Sequence, residues 1–151
     1  MSTFDAANFL NVVYTETHAT QYVPIPEGVY PCMTGTPNVV SGNSKTDGKP
    51  WYRLDLPIII DDASVREAMG RDEVKSKFSV MLDVENGVLA SGTGRNVQLG
   101  RLRDALGLNN PGEEFTMSML GGRTAKCSVT HRAHPTRSGE VIAEVNELAP
   151  L

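Results

Sequence analysis

The stretch Phe78-Ser79-Val80-Met81-Leu82-Asp83-Val84-Glu85-Asn86-Gly87-Val88-Leu89-Ala90 decides how this chain folds. Phe78, Val80, Leu82 and Val84 alternate with Lys77, Ser79, Met81 and Asp83. That period of two is the signature of a strand with one dry face and one wet face. Asn86-Gly87 follows at once, the pair that a type I′ turn demands because both central residues need positive φ. A hairpin returning through Val88 to Ala90 is therefore expected, and half-wet strands imply antiparallel pairing.

The same pattern recurs on both sides. Within Trp51 to Ile60, Tyr52, Leu54 and Leu56 share one face and Trp51, Arg53 and Asp55 the other. Val29 to Val40 reads as the first strand, interrupted near Pro37, since a strand proline belongs at an edge or a bulge. Ser41 to Lys49 is a polar, glycine-bearing hairpin tip. Ala125, Cys127, Val129 and His131 alternate with Lys126, Ser128, Thr130 and Arg132, and Val141, Ala143 and Val145 with Ile142, Glu144 and Asn146. His134 to Gly139 joins these last two strands as a hairpin.

Helices punctuate the strands. Asp61 or Asp62 caps Ala63 to Met69, which stops at Gly70; Ser64 and Glu67 have capping-box spacing if the cap lies at Ser64. Asn96 caps Val97 to Leu106, whose apolar side is Leu99, Leu102, Ala105 and Leu106 and whose stop is Gly107. Phe115 to Leu120 holds about one further turn. Residues 1–24 read as an N-terminal arm, kept extended at Pro24 and Pro26. A short helix within Ala6 to Val13 is expected to pack Phe9, Leu10 and Val13. Residues 25–151 form the domain. The expected architecture is mainly β: a small antiparallel OB-like barrel of five to six strands with two or three short helices. A sheet with one buried face curls to hide its edges. An OB barrel typically carries a helix between its third and fourth strands, and the Val97 helix lies after the Asn86-Gly87 hairpin and before the last strand pair, which fits.

Composition bounds the rest. The chain has 151 residues, is 40% hydrophobic and 21% charged, and carries a formal net charge of −4. This is the make-up of one globular domain and not of a disordered tail. No run approaches the ~20 apolar residues of a membrane span. The first residues carry no basic or apolar leader, so a cytoplasmic protein is expected. Residues 1–94 hold 7 bases against 12 acids, whereas residues 95–139 hold 7 bases against 3 acids. The molecule is acidic with one basic stretch. Binding to nucleic acid would follow the local field over a groove, which net charge only modulates. Cys32 and Cys127, 95 positions apart, are expected as reduced core residues.

No catalytic constellation is present. Cys127, His131 and His134 offer soft zinc ligands, but strand geometry turns His134 away from the other two and no fourth ligand follows. There is no G-x-S-x-G elbow. Gly92-Thr93-Gly94-Arg95-Asn96 could touch a phosphate, but it lacks the Lys-Ser/Thr of a P-loop. No enzyme activity, metal or cofactor is expected. The feature with most chemistry is Trp51 beside Arg53 on the wet face. An indole can stack a base, for ~1–3 kcal/mol, and a guanidinium can hold a phosphate. Lys126 and Arg132 share the outer face of their strand and could line the same groove.

Three segments carry a resemblance. They are Pro24-Ile25-Pro26-Glu27-Gly28-Val29-Tyr30, Gly100-Arg101-Leu102-Arg103-Asp104-Ala105-Leu106-Gly107-Leu108, and Met119-Leu120-Gly121-Gly122-Arg123-Thr124-Ala125-Lys126-Cys127. In that order the chain resembles small bacteriophage proteins similar to phage single-stranded-DNA-binding OB-fold proteins encoded near replication and recombination genes. The resemblance implies a non-catalytic protein of the infected bacterial cytoplasm. It would coat single-stranded DNA in replication or recombination, assemble with itself as a homo-oligomer, and meet phage replication or recombination proteins, with no membrane partner. Trp51 and Tyr30 would stack bases. Arg53, Arg95, Arg101, Lys126, Arg132, Lys45 and Lys49 would hold phosphates. The second reading is a protein–protein adaptor or virion component on the same barrel. A third is a DNA-mimicking antagonist of a host enzyme.

Overall fold

The computed structural model describes residues 3–151. Eight strands run in chain order: β1 (Gly28–Thr34), β2 (Asn38–Asn43), β3 (Pro50–Ile60), β4 (Val74–Leu82), β5 (Val84–Glu85), β6 (Val88–Leu89), β7 (Thr124–Ala133) and β8 (Val141–Ala149). Three short helices accompany them, α1 (Ala6–Phe9), α2 (Ala63–Met69) and α3 (Val97–Ala105), with a 3-10 turn at Met117–Leu120. The fold is mainly β, and its main sheet is antiparallel throughout.

β3 is the axis of that sheet. On one edge β4 pairs with it from Tyr52↔Leu82 to Ile60↔Val74. On the other edge β2 covers its first half, from Asn43↔Pro50 to Asn38↔Asp55, and β1 its last residues, from Thr34↔Ile58 to Cys32↔Ile60. β1 then pairs with β7, and β7 with β8 across a register shift at Ser128/Val129. Leu54, Leu56, Ile58 and Ile60 point inward and are essentially fully buried. Burying each such side chain contributes about 1.5–3 kcal/mol, which fixes which face of β3 is dry. Around them the core gathers residues from other elements, among them Cys32, Val65, Val80, Leu99, Leu102, Leu120, Ala125, Cys127, Val129, Val145 and Leu148.

Several expectations meet corrections. The first strand is two strands, because the chain leaves the ladder at Gly35–Pro37, and β2 runs on to Asn43. The Asn86-Gly87 turn is present, with φ of 53° and 78°. Its hairpin, however, is the separate two-stranded β5–β6 unit, and the long partner of β4 is β3. The break falls at Asp83, whose backbone is held by the loop before α3. Asp62 caps α2 by accepting from Val65 N–H at 3.0 Å, and Gly70 ends it in the left-handed region. The arm helix is shorter than expected and buries nothing: Phe9, Leu10 and Val13 are all exposed. β4 and β8 lie side by side, but no hydrogen-bonded register joins them among the described residues. The strands therefore do not close into a barrel. No described helix is long and apolar enough to cross a membrane.

Where β1 ends, one buried polar side chain ties the sheet to the 3-10 turn. Thr34 Oγ1 donates to the Leu120 carbonyl at 2.5 Å and accepts from Arg123 N–H at 2.9 Å. Thr34→Val keeps the shape but leaves both backbone groups unpartnered. Such groups cost about 1–3 kcal/mol each when buried. Urea denaturation should show that loss as a lower midpoint with an unchanged slope; an unchanged midpoint would contradict this role.

Candidate nucleic-acid interface

The outer wall of β2, β3 and β4 carries the candidate site. Alternation along β3 turns Trp51, Arg53 and Asp55 outward, opposite the buried Leu54 and Leu56. The indole of Trp51 lies half-buried over Gly42, its partner on β2. A Cβ at Gly42 would stand 2.6 Å from Trp51 Cζ2, so only glycine leaves room for the ring. The Arg53 guanidinium carbon is 5.7 Å from the indole centroid, a cation–π distance. The tryptophan and the arginine are thus brought together on one wall.

That arginine is not free. Its Nε and a terminal nitrogen donate to both oxygens of Asp55, at 2.8 and 3.1 Å. Ser79 Oγ donates to the same carboxylate at 2.8 Å, and Lys77 Nζ stands 3.9 Å away. The Arg53 hydrogen bonds hold the Asp55 carboxyl below its usual range, against the opposing effect of burial. Two cations over one acid leave a surplus positive charge beside the indole. Lys45 and Lys49 sit on the turn joining β2 to β3, next to the Trp51 end, and form no ion pair among the described residues. Lys49 is placed by its N–H donating to Asp47 at 3.0 Å.

The other expected residues are dispersed. Tyr30 faces inward on β1 and packs against the core. Its hydroxyl donates to the Pro26 carbonyl at 2.7 Å, and burial pushes the phenol up. It anchors the arm and is not on the Trp51 wall. Lys126 and Arg132 do share the outward face of β7. Arg132 spends its charge on Glu144 at 2.9 Å, whereas Lys126 forms no ion pair among the described residues. Arg101 lines a separate groove of about 510 Å³ between α3, Phe78 and β8, with Gln98, Asp104 and Glu147.

The glycine-rich loop before α3 is a clamp. Arg95 donates to Asp83 and, at 2.7 Å, to Glu85. Contrary to the sequence expectation, the Asn96 side chain does not cap α3; the residue adopts a left-handed backbone at φ 53°. Its amide instead accepts from Asp83 N–H at 2.7 Å and donates to the Asp83 and Ala90 carbonyls at 2.9 and 2.8 Å. One side chain thereby satisfies the backbone exactly where β4 ends, and the loop's only full cation is consumed internally.

Cys32 and Cys127 are buried free thiols on neighbouring strands. Hydrogen bonding between them, together with burial, pushes the Cys32 thiol up, so it is not poised as a nucleophile. No group of three or more metal-ligating side chains occurs among the described residues. His131 Nε2 lies 2.6 Å from the Ile25 carbonyl, and His134 Nδ1 accepts from Thr136 and Arg137 N–H. Lys75 and Lys77 on the wall were missed in sequence. The alternation put Lys77 on the wet face, whereas residues 71–76 read as a charged connector; β4 in fact begins at Val74, and only the register Lys75↔Ile59 and Lys77↔Pro57 sets both lysines beside β3. No family model matches this chain, and no curated protein matches it.

The Asp55 cluster gives a pH signature. Its carboxyl is lowered on folding, so the stability it adds is complete above the ordinary aspartate value, about 3.9. That stability is lost as pH falls through the lower folded value. Asp55→Asn should therefore melt below the parent protein at pH 7, and the gap should narrow below about pH 4. A gap constant from pH 7 to pH 2 would show that Asp55 acts through packing alone.

Proposed function

We propose that this chain is a non-catalytic single-stranded-DNA-binding protein built on a partly open OB-type barrel. Reading β1 and β2 as one bent strand gives five strands. The bent strand pairs with β3 and β7, β3 with β4, and β7 with β8, while β4 lies beside β8 and α3 precedes β7. That connectivity supports the barrel reading, with an open seam between β4 and β8. In this reading the DNA strand crosses the outer wall of β2–β3–β4. Trp51 stacks a base, and Arg53, Lys77, Lys45 and Lys49 hold phosphates. The observation that carries the proposal is the outward indole seated over Gly42 beside a guanidinium. The resemblance to phage single-strand binders extends it to the infected bacterial cytoplasm, beside replication or recombination proteins.

Trp51 is the only tryptophan in the chain, so its fluorescence reports the contact directly. Oligo(dT) should quench it at low salt. The affinity should fall as salt rises, with a slope near −0.7 per phosphate neutralised, or about −2 to −3 for three or four cations. Trp51→Ala, followed by gel shift, should weaken binding about 5- to 150-fold, the equivalent of ~1–3 kcal/mol of stacking. Gly42→Ala should weaken it as well, by displacing the ring. No quenching and no shift in 20 mM salt would end the proposal.

A second reading, a protein–protein adaptor or virion component, is favoured by one observation. Arg53, Arg95 and Arg132 each give their guanidinium to a carboxylate of the chain itself. It predicts salt-independent indifference to oligonucleotides.

A further inference from the structure

One pair of neighbouring residues holds an electrophile and a nucleophile that nothing else in the chain occupies. Of the nine asparagines, only Asn86 precedes a glycine. The two form the exposed tip of the β5–β6 hairpin, at φ 53° and 78°. Gly87 has no Cβ, and open space surrounds the place where one would stand. The hairpin pairs Val84 with Leu89 and Glu85 with Val88, and the Gly87 N–H donates to nothing among the described residues. The Asn86 carboxamide, exposed at the same tip, has no hydrogen-bond partner among them either. Elsewhere one of the two groups is tied up or shielded. The Asn96 amide makes three hydrogen bonds, and that of Asn110 reaches the Gly107 carbonyl and Glu113. Asn43, Asn109 and Asn146 precede Ser44, Asn110 and Glu147, whose side chains crowd the following nitrogen. At Asp47-Gly48 the carboxylate accepts the Lys49 N–H at 3.0 Å.

We propose that Asn86 is a self-modifying site, at which the folded chain converts its own asparagine to aspartate and isoaspartate with water as the only co-reactant. Hydroxide removes the Gly87 amide proton. The nitrogen then attacks Asn86 Cγ, a five-membered succinimide closes, and Nδ2 leaves with a proton as ammonia. Water opens the ring at either carbonyl. Breaking the bond to Cγ returns the ordinary backbone with aspartate. Breaking the bond to the Asn86 carbonyl carbon leaves the chain running through the side chain, as isoaspartate. Ring closure requires Asn86 to leave its left-handed turn. Only two residue pairs hold this hairpin, and a lone two-stranded hairpin is marginally stable. Its tip therefore opens locally while the main sheet stays paired. The clamp holds the base of the hairpin, at Glu85 and Ala90, and not its tip. Aspartate places a new carboxylate next in sequence to Glu85, which already shares Arg95 with Asp83. Isoaspartate also lengthens the main chain within a two-residue turn, which that turn geometry does not accommodate.

The test is to age the folded, full-length protein for some weeks at 37 °C, at pH 6 and at pH 8.5, and then to digest it with trypsin. The fragment covering residues 78–95 should gain about 1 Da, the change from amide to acid. It should split into an aspartate and an isoaspartate form, the latter accepting a methyl group from a protein isoaspartate carboxyl methyltransferase. Conversion should be faster at pH 8.5, because hydroxide makes the nucleophile. Asn86→Gln should abolish it, since its longer side chain would have to close a six-membered ring. In ¹⁵N spectra of the aged protein, changes should stay within residues 84–96. An unaltered 78–95 fragment would overturn the proposal, and so would earlier conversion at Asn43, Asn109 or Asn146. A rate more than a hundredfold below that of the synthetic 78–95 peptide would also overturn it, because the fold would then protect the tip. Spectral changes spreading into β3 or β7 would contradict the local opening on which it rests. None of these readouts involves nucleic acid, so they stand or fall apart from the binding proposal.

Discussion

Everything in this molecule hangs on β3 being hydrogen-bonded along both edges while burying one face. Leu54, Leu56, Ile58 and Ile60 take the interior and cannot exchange sides. A slip of one residue would put four large apolar side chains in water and Arg53 and Asp55 in the core. Because strand side chains alternate, that burial also dictates what stands outside: Trp51, Arg53, Asp55, Pro57 and Ile59 in one row. The outer row divides into a ring-bearing, charged half near the β2–β3 turn and an apolar half near β1. The proposed binding function is a reading of the first half.

Electrostatics on the outer half works by pairing and leftover charge. Asp55 collects Arg53, Ser79 and Lys77 around one carboxylate. The cluster holds the guanidinium near the indole and still leaves net positive charge. Exposed pairs of this kind add little stability, but they restrict where a long side chain can go. The clamp at Arg95 and Asn96 uses the same chemistry for another end. It sits where β4 ends and ties the β5–β6 hairpin to the start of α3.

Much of this was legible in the residues. Period-two alternation found β3, the second half of β4, β7 and β8, and the correct dry face of β3, because burial of branched side chains leaves a direct trace in sequence. Asp62, Gly70 and Gly107 marked helix ends for equally local reasons. Asn86-Gly87 placed a turn but not the pairing around it, since register is a non-local property. The same limit hid Lys75 and Lys77, whose neighbours come from β3. It also made Tyr30, Arg95, Arg101 and Arg132 look like members of one groove. Tyr30 is an anchor and Arg95 a clamp. Their partners, Pro26, Asp83 and Glu85, are close in sequence, but nothing in the composition says that the polar group will be spent there. The arm misled differently: its apolar residues suggested packing, and in the single chain they meet no core.

The most direct measurement is a backbone and indole NMR titration of the ¹⁵N-labelled protein with oligo(dT) at low salt. Shifts should gather on the Trp51 indole N–H, on the outward residues of β2, β3 and β4, and on the turn carrying Lys45 and Lys49. Shifts confined to the groove between α3 and β8, or none at all, would contradict the assignment of the β3 outer wall as the binding surface.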